Sequence, residues 1–375
     1  MNPGTSSFAV GRAGFKERPV PQVPDHQLLR CIATGGYGEV WLAQNLMGTY
    51  RAVKVVYRAN FSEERPFLRE FEGIQRFEPI SREHPGFVDV LQVGRNDQAG
   101  FFYYVMELAD DANHDTGAQL LDDPGSSSIT PSGATPRPIN PDQYSPKTLR
   151  SILRSPVGDD NSADGSRHCL PINQCLTIAS ELAAALHHLH QHQLVHRDIK
   201  PANIYLTQRG GIPDFVKVLD FGLVKARNLE GQMELTGTTA TLGTPLYMSP
   251  EAVEHPDRVD ASADIYSRGC VGYYLLTGET VFAGLSAGEV LMQQVRSVPE
   301  KPSVRLRQPV SADLEELLMN CLAKKPNGRP ASAEAFEAAL AQCAAAAGWN
   351  REQAAEWWHQ RGTAKVEKAR VMPDV

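Results

Sequence analysis

Six of the 375 residues are cysteine, at 31, 169, 175, 270, 321 and 343, and no two form a CxxC pair. That spacing argues against a zinc site. So scattered a set in so long a chain is not a disulfide framework either, and reduced, mostly buried thiols are expected. Long apolar runs are also missing. The most apolar helical stretch, Cys175–Leu189, is too short to cross a bilayer and contains Glu181, His187 and His188. The first twenty residues lack the apolar core of a signal peptide. No membrane span and a cytoplasmic location are therefore expected. There is no basic excess: 37 Lys and Arg face 44 Asp and Glu, a net charge of −7. No nucleic-acid partner is expected from that balance.

What is present is apolar enough, at 42% hydrophobic residues, to build real cores. The length allows two or three domains, or one two-lobed domain with additions. Residues 1–26 are rich in Pro, Gly and Ser and read as a flexible arm. From Leu28 to Tyr57 the pattern is strand, Gly-rich turn, strand, strand, with Val40, Leu42, Val53 and Val55 at the period-two spacing of half-buried strands. Pro66–Phe77 reads as a helix on the stripe Phe67, Phe71, Ile74, Phe77, and Val88–Val93 and Phe101–Leu108 as two more strands. Residues 111–143 are polar and Pro/Gly/Ser-rich, a long loop insert, and Ser155–Arg167 is a second such stretch. Between them Ser145–Leu153 reads as a short helix.

Beyond Asn173 the chain reads as mostly helical. Leu176, Ile178, Leu182, Leu186 and Leu189 mark a long buried helix, and Ser262–Thr277, Ala287–Val295, Leu314–Leu322 and Ala333–Ala347 mark four more. A strand-rich half followed by a larger helical half is an α+β layout. The boundaries drawn from this are a domain at 27–340, with a small part at about 27–107 and a large part at about 144–340, then a tail at 341–375. Trp349, Trp357 and Trp358 in the tail are expected to pack on the large part.

Four short segments carry chemistry. In Ala33-Thr34-Gly35-Gly36-Tyr37-Gly38-Glu39-Val40 the glycines let backbone N–H groups approach phosphates, though a Gly-rich hairpin alone is only a turn. Lys54 is a lone cation in the apolar strand Ala52-Val53-Lys54-Val55 and needs an anionic partner. Glu70 is the first candidate for that partner, and Glu72 the less favoured one. The segment His196-Arg197-Asp198-Ile199-Lys200-Pro201-Ala202-Asn203 groups a carboxylate base, two cations and an amide in a loop that Pro201 keeps from being helical. Asp220-Phe221-Gly222 follows 22 residues after Asp198 and ends an apolar strand in a carboxylate. A threonine-rich loop comes next and closes on Gly243-Thr244-Pro245-Leu246-Tyr247-Met248-Ser249-Pro250-Glu251.

Together these segments, in this order and spacing, resemble the eukaryotic-type Ser/Thr protein kinase family in the style of its bacterial members, from about Leu28 to Leu340. The resemblance implies a two-lobed kinase fold: a small antiparallel sheet with one helix, a larger helical lobe, and an ATP cleft between them. It implies transfer of the γ-phosphoryl group of Mg-ATP to Ser or Thr hydroxyls of proteins, with Mn²⁺ as a substitute metal. Gly35, Gly36 and Gly38 would cover the phosphates. Lys54 would grip them while pairing with Glu70. Val40 and Ala52 would roof the adenine and Tyr205 floor it, with Met106 as gatekeeper and Glu107–Ala109 as hinge. Asp198 would be the base, Lys200 the neutralising cation, and Asn203 and Asp220 the metal holders. Glu251 would pair with Arg329, and Asp264 would brace the catalytic loop. Arg197 beside Asp198 implies control by activation-loop phosphorylation, with Thr236, Thr238, Thr239 and Thr241 as candidate sites. Thr244 would shape the substrate groove. A homodimer for trans-autophosphorylation is implied by family analogy alone.

The sequence also departs from the family pattern. Ala33 stands where the first loop glycine is usual, which is tolerable if its φ stays negative. The stretch from Glu70 to His84-Pro85 is longer than usual, and Tyr205 is bulkier than the usual aliphatic. The alternative class is a pseudokinase acting as an ATP-binding scaffold, but such proteins usually lose a group matching Lys54, Asp198 or Asp220, and all three are present.

Overall fold

The computed structural model describes residues 18–36, 38–113, 139–154, 170–209, 212–219 and 244–343. The arm up to residue 17, insert residues 114–138, Asp220 and the threonine loop to residue 243, and the tryptophan-bearing tail from residue 344 lie outside them.

Early in the chain, β-branched and aromatic segments pair in an antiparallel meander of β1 (His26–Thr34), β2 (Gly38–Asn45) and β3 (Tyr50–Tyr57). Two further strands, β4 (Val90–Asn96) and β5 (Phe101–Met106), complete a five-stranded sheet in the order β1-β2-β3-β5-β4. Helix α1 (Glu64–Ile80) crosses between β3 and β4 and buries Phe67, Ile74 and Phe77. It runs past the expected end because Pro79 falls in its last turn, where Ser81 N still closes on Phe77 O at 2.8 Å.

The central strands are not half-buried, as their spacing suggested. On one face Ala52, Val56, Phe102, Tyr104 and Met106 join the main core with α1. On the other, Val53, Val55, Tyr103 and Val105 are also buried, packed with Val23, Ala43, Leu28 and Trp41. Val23, just before β1, thus helps cover the face that carries Val53 and Val55, so both faces of the central strands are buried.

The helical part begins with α2 (Leu149–Arg154) and α3 (Ile172–Gln191), whose leucine stripe is buried. A two-stranded ribbon follows, β6 (Ile204–Arg209) paired antiparallel with β7 (Ile212–Val218). Then come α4 (Pro250–Glu254), α5 (Ala261–Thr277), α6 (Ala287–Arg296), α7 (Pro302–Leu306), α8 (Ala312–Cys321) and α9 (Ala333–Gln342). Side-chain caps set several starts: Asp260 accepts from Ser262 N at the head of α5, and Ser332 from Ala335 N at the head of α9. Gly278, at φ 70°, ends α5. Helix α9 ends at Gln342, where Cys343 is extended (ψ 132°), and the rest of the stretch expected to be helical up to Ala347 lies outside the described residues.

One apolar cluster runs from the sheet into the helical part, through Met106, Leu149, Leu182 and Tyr273. A second lies among α3, α5, α8 and α9, around Leu176, Ile265, Leu318 and Phe336. None of the described cysteines is in a disulfide, and Cys175, Cys270, Cys321 and Cys343 are buried. Among the described residues no helix is long and apolar enough to cross a membrane.

Candidate active site

The loop carrying Asp198 is shaped from below. Asp264, in the first turn of α5, is fully buried. Its Oδ2 accepts from His196 N at 2.8 Å and from His190 Nε2 at 2.9 Å, and its Oδ1 accepts from Arg197 N at 2.8 Å. Burial alone would push the Asp264 carboxyl up, but the His190 and His196 interactions outweigh it and hold the group below the usual carboxylate range. Two successive backbone N–H groups reach one carboxylate while Arg197 sits at φ +63°, a left-handed conformation uncommon for a non-glycine residue. His196 is buried beneath. Its Nδ1 accepts from Asp198 N at 3.3 Å, so Nε2 carries the proton that goes to Leu219 O at 3.2 Å.

On that platform Asp198, Lys200 and Asn203 converge. Asp198 Oδ2 accepts from Lys200 Nζ at 2.8 Å and from Asn203 Nδ2 at 2.9 Å. The same amide donates to Asp198 O at 2.9 Å. Both Asn203 N–H bonds go to Asp198, which fixes Oδ1 as the amide's other end. Lys200 Nζ also reaches Thr244 Oγ1 at 3.2 Å, bringing the end of the threonine loop to the base. Leu219 N donates to Asn203 O at 3.0 Å, so the chain enters residue 220 from a point tied twice to this loop. Asp220 itself, and Thr236, Thr238, Thr239 and Thr241, lie outside the described residues.

Above the loop, Gly35 N donates to Gly38 O at 2.8 Å and closes the hairpin in which Gly35 and Gly36 are exposed. Gly38 has no room for a side chain, since a Cβ there would lie 2.0 Å from Val55 O. Ala33 pairs with Val40 and does not have a positive φ, so its methyl is accommodated. Val40 sits across from Lys54, Ala52 across from Met106, and Lys54 across from Tyr104, whose ring centroid is 5.6 Å from Lys54 Nζ. Val40, Ala52, Met106 and Tyr205 share the main apolar cluster. Glu70 is buried on α1 while Glu72 is exposed, which separates the two candidates for Lys54.

The stretch after β5 is tied down by groups that sequence reasoning missed. Glu107 accepts from Asp89 N at 2.9 Å and pairs with the buried Lys217 of β7, whose Nζ also donates to Phe87 O at 3.1 Å. Glu107 N donates to Asp89 O at 3.1 Å, and Tyr144 Oη donates to Ala109 O at 3.0 Å. Lys217 bears the same local signal as Lys54, a lone cation in an apolar strand, and could have been found by it. No spacing announces Tyr144 or His190. Farther out, Arg329 makes a bidentate pair with Glu251 at 2.6 and 2.8 Å and also donates to Ser262 O, Ala323 O and Lys324 O.

Comparison with known proteins agrees with this geometry. The protein kinase domain family profile matches residues 150–340, just over half of the chain. The serine/threonine-protein kinase PknB of Mycobacterium leprae (strain TN) is 32% identical over 324 residues, covering 85% of this chain and 43% of that one. PknB of Mycobacterium tuberculosis (strain H37Rv) is 31% identical over 318 residues, covering 84% and 42%. The chain therefore spans less than half the length of these curated relatives. The crystal structure of the Mycobacterium tuberculosis PknI kinase domain, a double mutant, superposes with a TM-score of 0.53 at 22% identity, covering 88% of this chain and 96% of that one. The chain belongs to the protein kinase family, and it has that family's fold.

Proposed function

We propose that this chain is a serine/threonine protein kinase that transfers the γ-phosphoryl group of Mg-ATP to protein hydroxyls. The observation that carries this reading is the convergence of Lys200 and Asn203 on Asp198 Oδ2 above the braced Asp264. Asp198 accepts the proton of the incoming Ser or Thr hydroxyl as its oxygen bonds to the γ-phosphorus and the bond to the ADP oxygen breaks. Lys200, already at the base, offsets the charge of the transferring group. Lys54, paired with Glu70, grips the phosphates, and Gly35, Gly36 and Gly38 cover them. Val40, Ala52, Met106 and Tyr205 enclose the adenine, and Glu107–Ala109 present backbone groups to it. Asn203, through its amide oxygen, and Asp220, through its carboxylate, would hold Mg²⁺, with Mn²⁺ a substitute, and so would supply a cation that neutralises phosphate charge. Residues 27–340 form the catalytic domain in this reading, and ATP and Ser/Thr-containing proteins are its substrates. Phosphate on Thr236–Thr241 would be read by Arg197 and order the loop, with a second copy of the chain as the phosphorylating partner.

The test is incubation of the full chain and its Asp198→Asn variant with Mg-ATP, with phosphosites mapped by mass spectrometry. Phosphate on Thr236–Thr241 in the wild type, with a loss of about 10³-fold or more in the variant and unchanged nucleotide binding, is expected. Equal phosphorylation of both proteins would remove Asp198 from the role of base. Nucleotide binding without phosphate on either would turn the reading toward a scaffold.

A further inference from the structure

The turn after α1 meets the C-terminal end of α3. Here Glu83 lies against His188 and His192, which are one helical turn apart. Glu83 Oε2 is 3.3 Å from His188 Nε2 and 3.1 Å from His192 Nε2, and all three atoms lie within 4.8 Å of one another. Neither contact is aligned as a hydrogen bond, and among the described residues His188 Nε2 is buried without a hydrogen-bond partner. Two ring nitrogens thus converge on one carboxylate oxygen around a common point, without the geometry that would make them a hydrogen-bonded ion pair. The wall behind is packed with aromatic rings. His84 stacks on His188 at 5.4 Å with the planes 28° apart, Phe87 lies edge-on to His84, and His84 Nδ1 accepts from Gly86 N at 3.1 Å.

We propose that Glu83, His188 and His192 form a binding site for a borderline divalent cation, Zn²⁺. Around a tetrahedral ion with ligands at about 2.0–2.1 Å, donor atoms stand about 3.3 Å apart, matching the separations of 3.3 and 3.1 Å here. Two imidazoles and one carboxylate are a ligand set that Zn²⁺ accepts, whereas Mg²⁺ prefers oxygen donors and waters, so Mg-ATP does not compete for the site. The Glu83 and His192 side chains are half-open to solvent, which leaves the fourth position to a water. Cysteine spacing is silent on this site because its ligands are imidazoles in the run His187-His188-Leu189-His190-Gln191-His192. A bound ion fastens the turn at the end of α1, the helix that carries Glu70, to α3, the helix whose His190 holds Asp264.

The test uses the full chain, treated with chelator, dialysed and titrated with Zn²⁺ in millimolar Mg²⁺, with Co²⁺ as a spectroscopic stand-in. Expected are one Zn²⁺ per chain, a visible tetrahedral Co²⁺ spectrum, and slower amide exchange across residues 81–87 and 186–194. Glu83→Gln and His192→Gln should each weaken binding about 10-fold or more. Both side chains are surface-open, so metal-free thermal midpoints should match the wild type and separate lost binding from lost folding. Zn²⁺ bound with wild-type affinity by both variants, or no tetrahedral Co²⁺ spectrum in the wild type, would overturn the assignment.

Discussion

Asp264 shows how one buried charge becomes tolerable. It is taken out of water completely, yet three donors satisfy it, and its carboxyl is held low. Because its value is lower in the folded chain than in the unfolded one, its stabilising contribution is complete above the unfolded carboxylate value of about 3.9 and is lost only as pH falls through the folded value. Asp264→Asn should cost about 3 kcal/mol, since an amide donor would face backbone donors. The gap in unfolding midpoint between variant and wild type should hold from neutral pH to about 5 and narrow only below about 4. A gap that closed near neutrality would show that the Asp264 carboxylate is not what the difference reports. Arg268 is the contrary case. It is fully buried in α5, stacked 3.6 Å from the Phe336 ring centroid, and among the described residues only the weakly accepting Cys321 thiol faces its guanidinium, with no well-aligned hydrogen bond. Burial pulls its charge affinity down. Stacking of a desolvated cation returns about 2 kcal/mol, less than the several kcal/mol that burying it costs. Arg268→Leu is therefore expected to stabilise the chain by roughly 1–2 kcal/mol in denaturant unfolding. A destabilised variant would show that the ring contact dominates.

At the scale of elements, the hairpin of β1 and β2 combines a requirement of packing with a requirement of chemistry. Gly38 is held where any side chain would strike the β3 backbone, so the loop lies flat over the strand that bears Lys54. Gly38→Ala must separate β2 from β3, at a cost of about 1–3 kcal/mol. Nucleotide affinity should fall together with the thermal midpoint. Gly35→Ala, where a Cβ would meet nothing nearer than 3.9 Å, should leave the midpoint unchanged. If both variants behaved alike, close approach would not be the reason for glycine. The strands and long helices were legible because alternation and the 3.6-residue period survive in their sequences. Helices α4 and α7 were not, since five residues show no period. That β3 and β5 are buried on both faces was not legible, because Val23, which packs beside Val53 and Val55, precedes β1 in a segment with no periodic signal.

Across the whole molecule, what sequence reasoning missed is long-range side-chain bonding. His190 and Asp264 are 74 residues apart, and Tyr144 and Ala109 are 35 apart across the insert, so no local spacing encodes either contact. The link between Glu251 and Arg329 became legible only through resemblance, for the same reason. Its structure explains why it matters to the large part as a unit. Arg329 is buried and joins the segment after Thr244, the head of α5 and the turn after α8 with five hydrogen bonds. Lysine keeps the charge but has no planar fork to match the carboxylate. Arg329→Lys should therefore cost about 3 kcal/mol or more, because Glu251 and three carbonyls lose their donors together. Hydrogen exchange should then rise at residues 247–262 and 322–330 together, while protection of β1–β5 is kept. If only residues 322–330 loosened, the pair would be a local clip and not the tie that seats the end of the activation segment on α5.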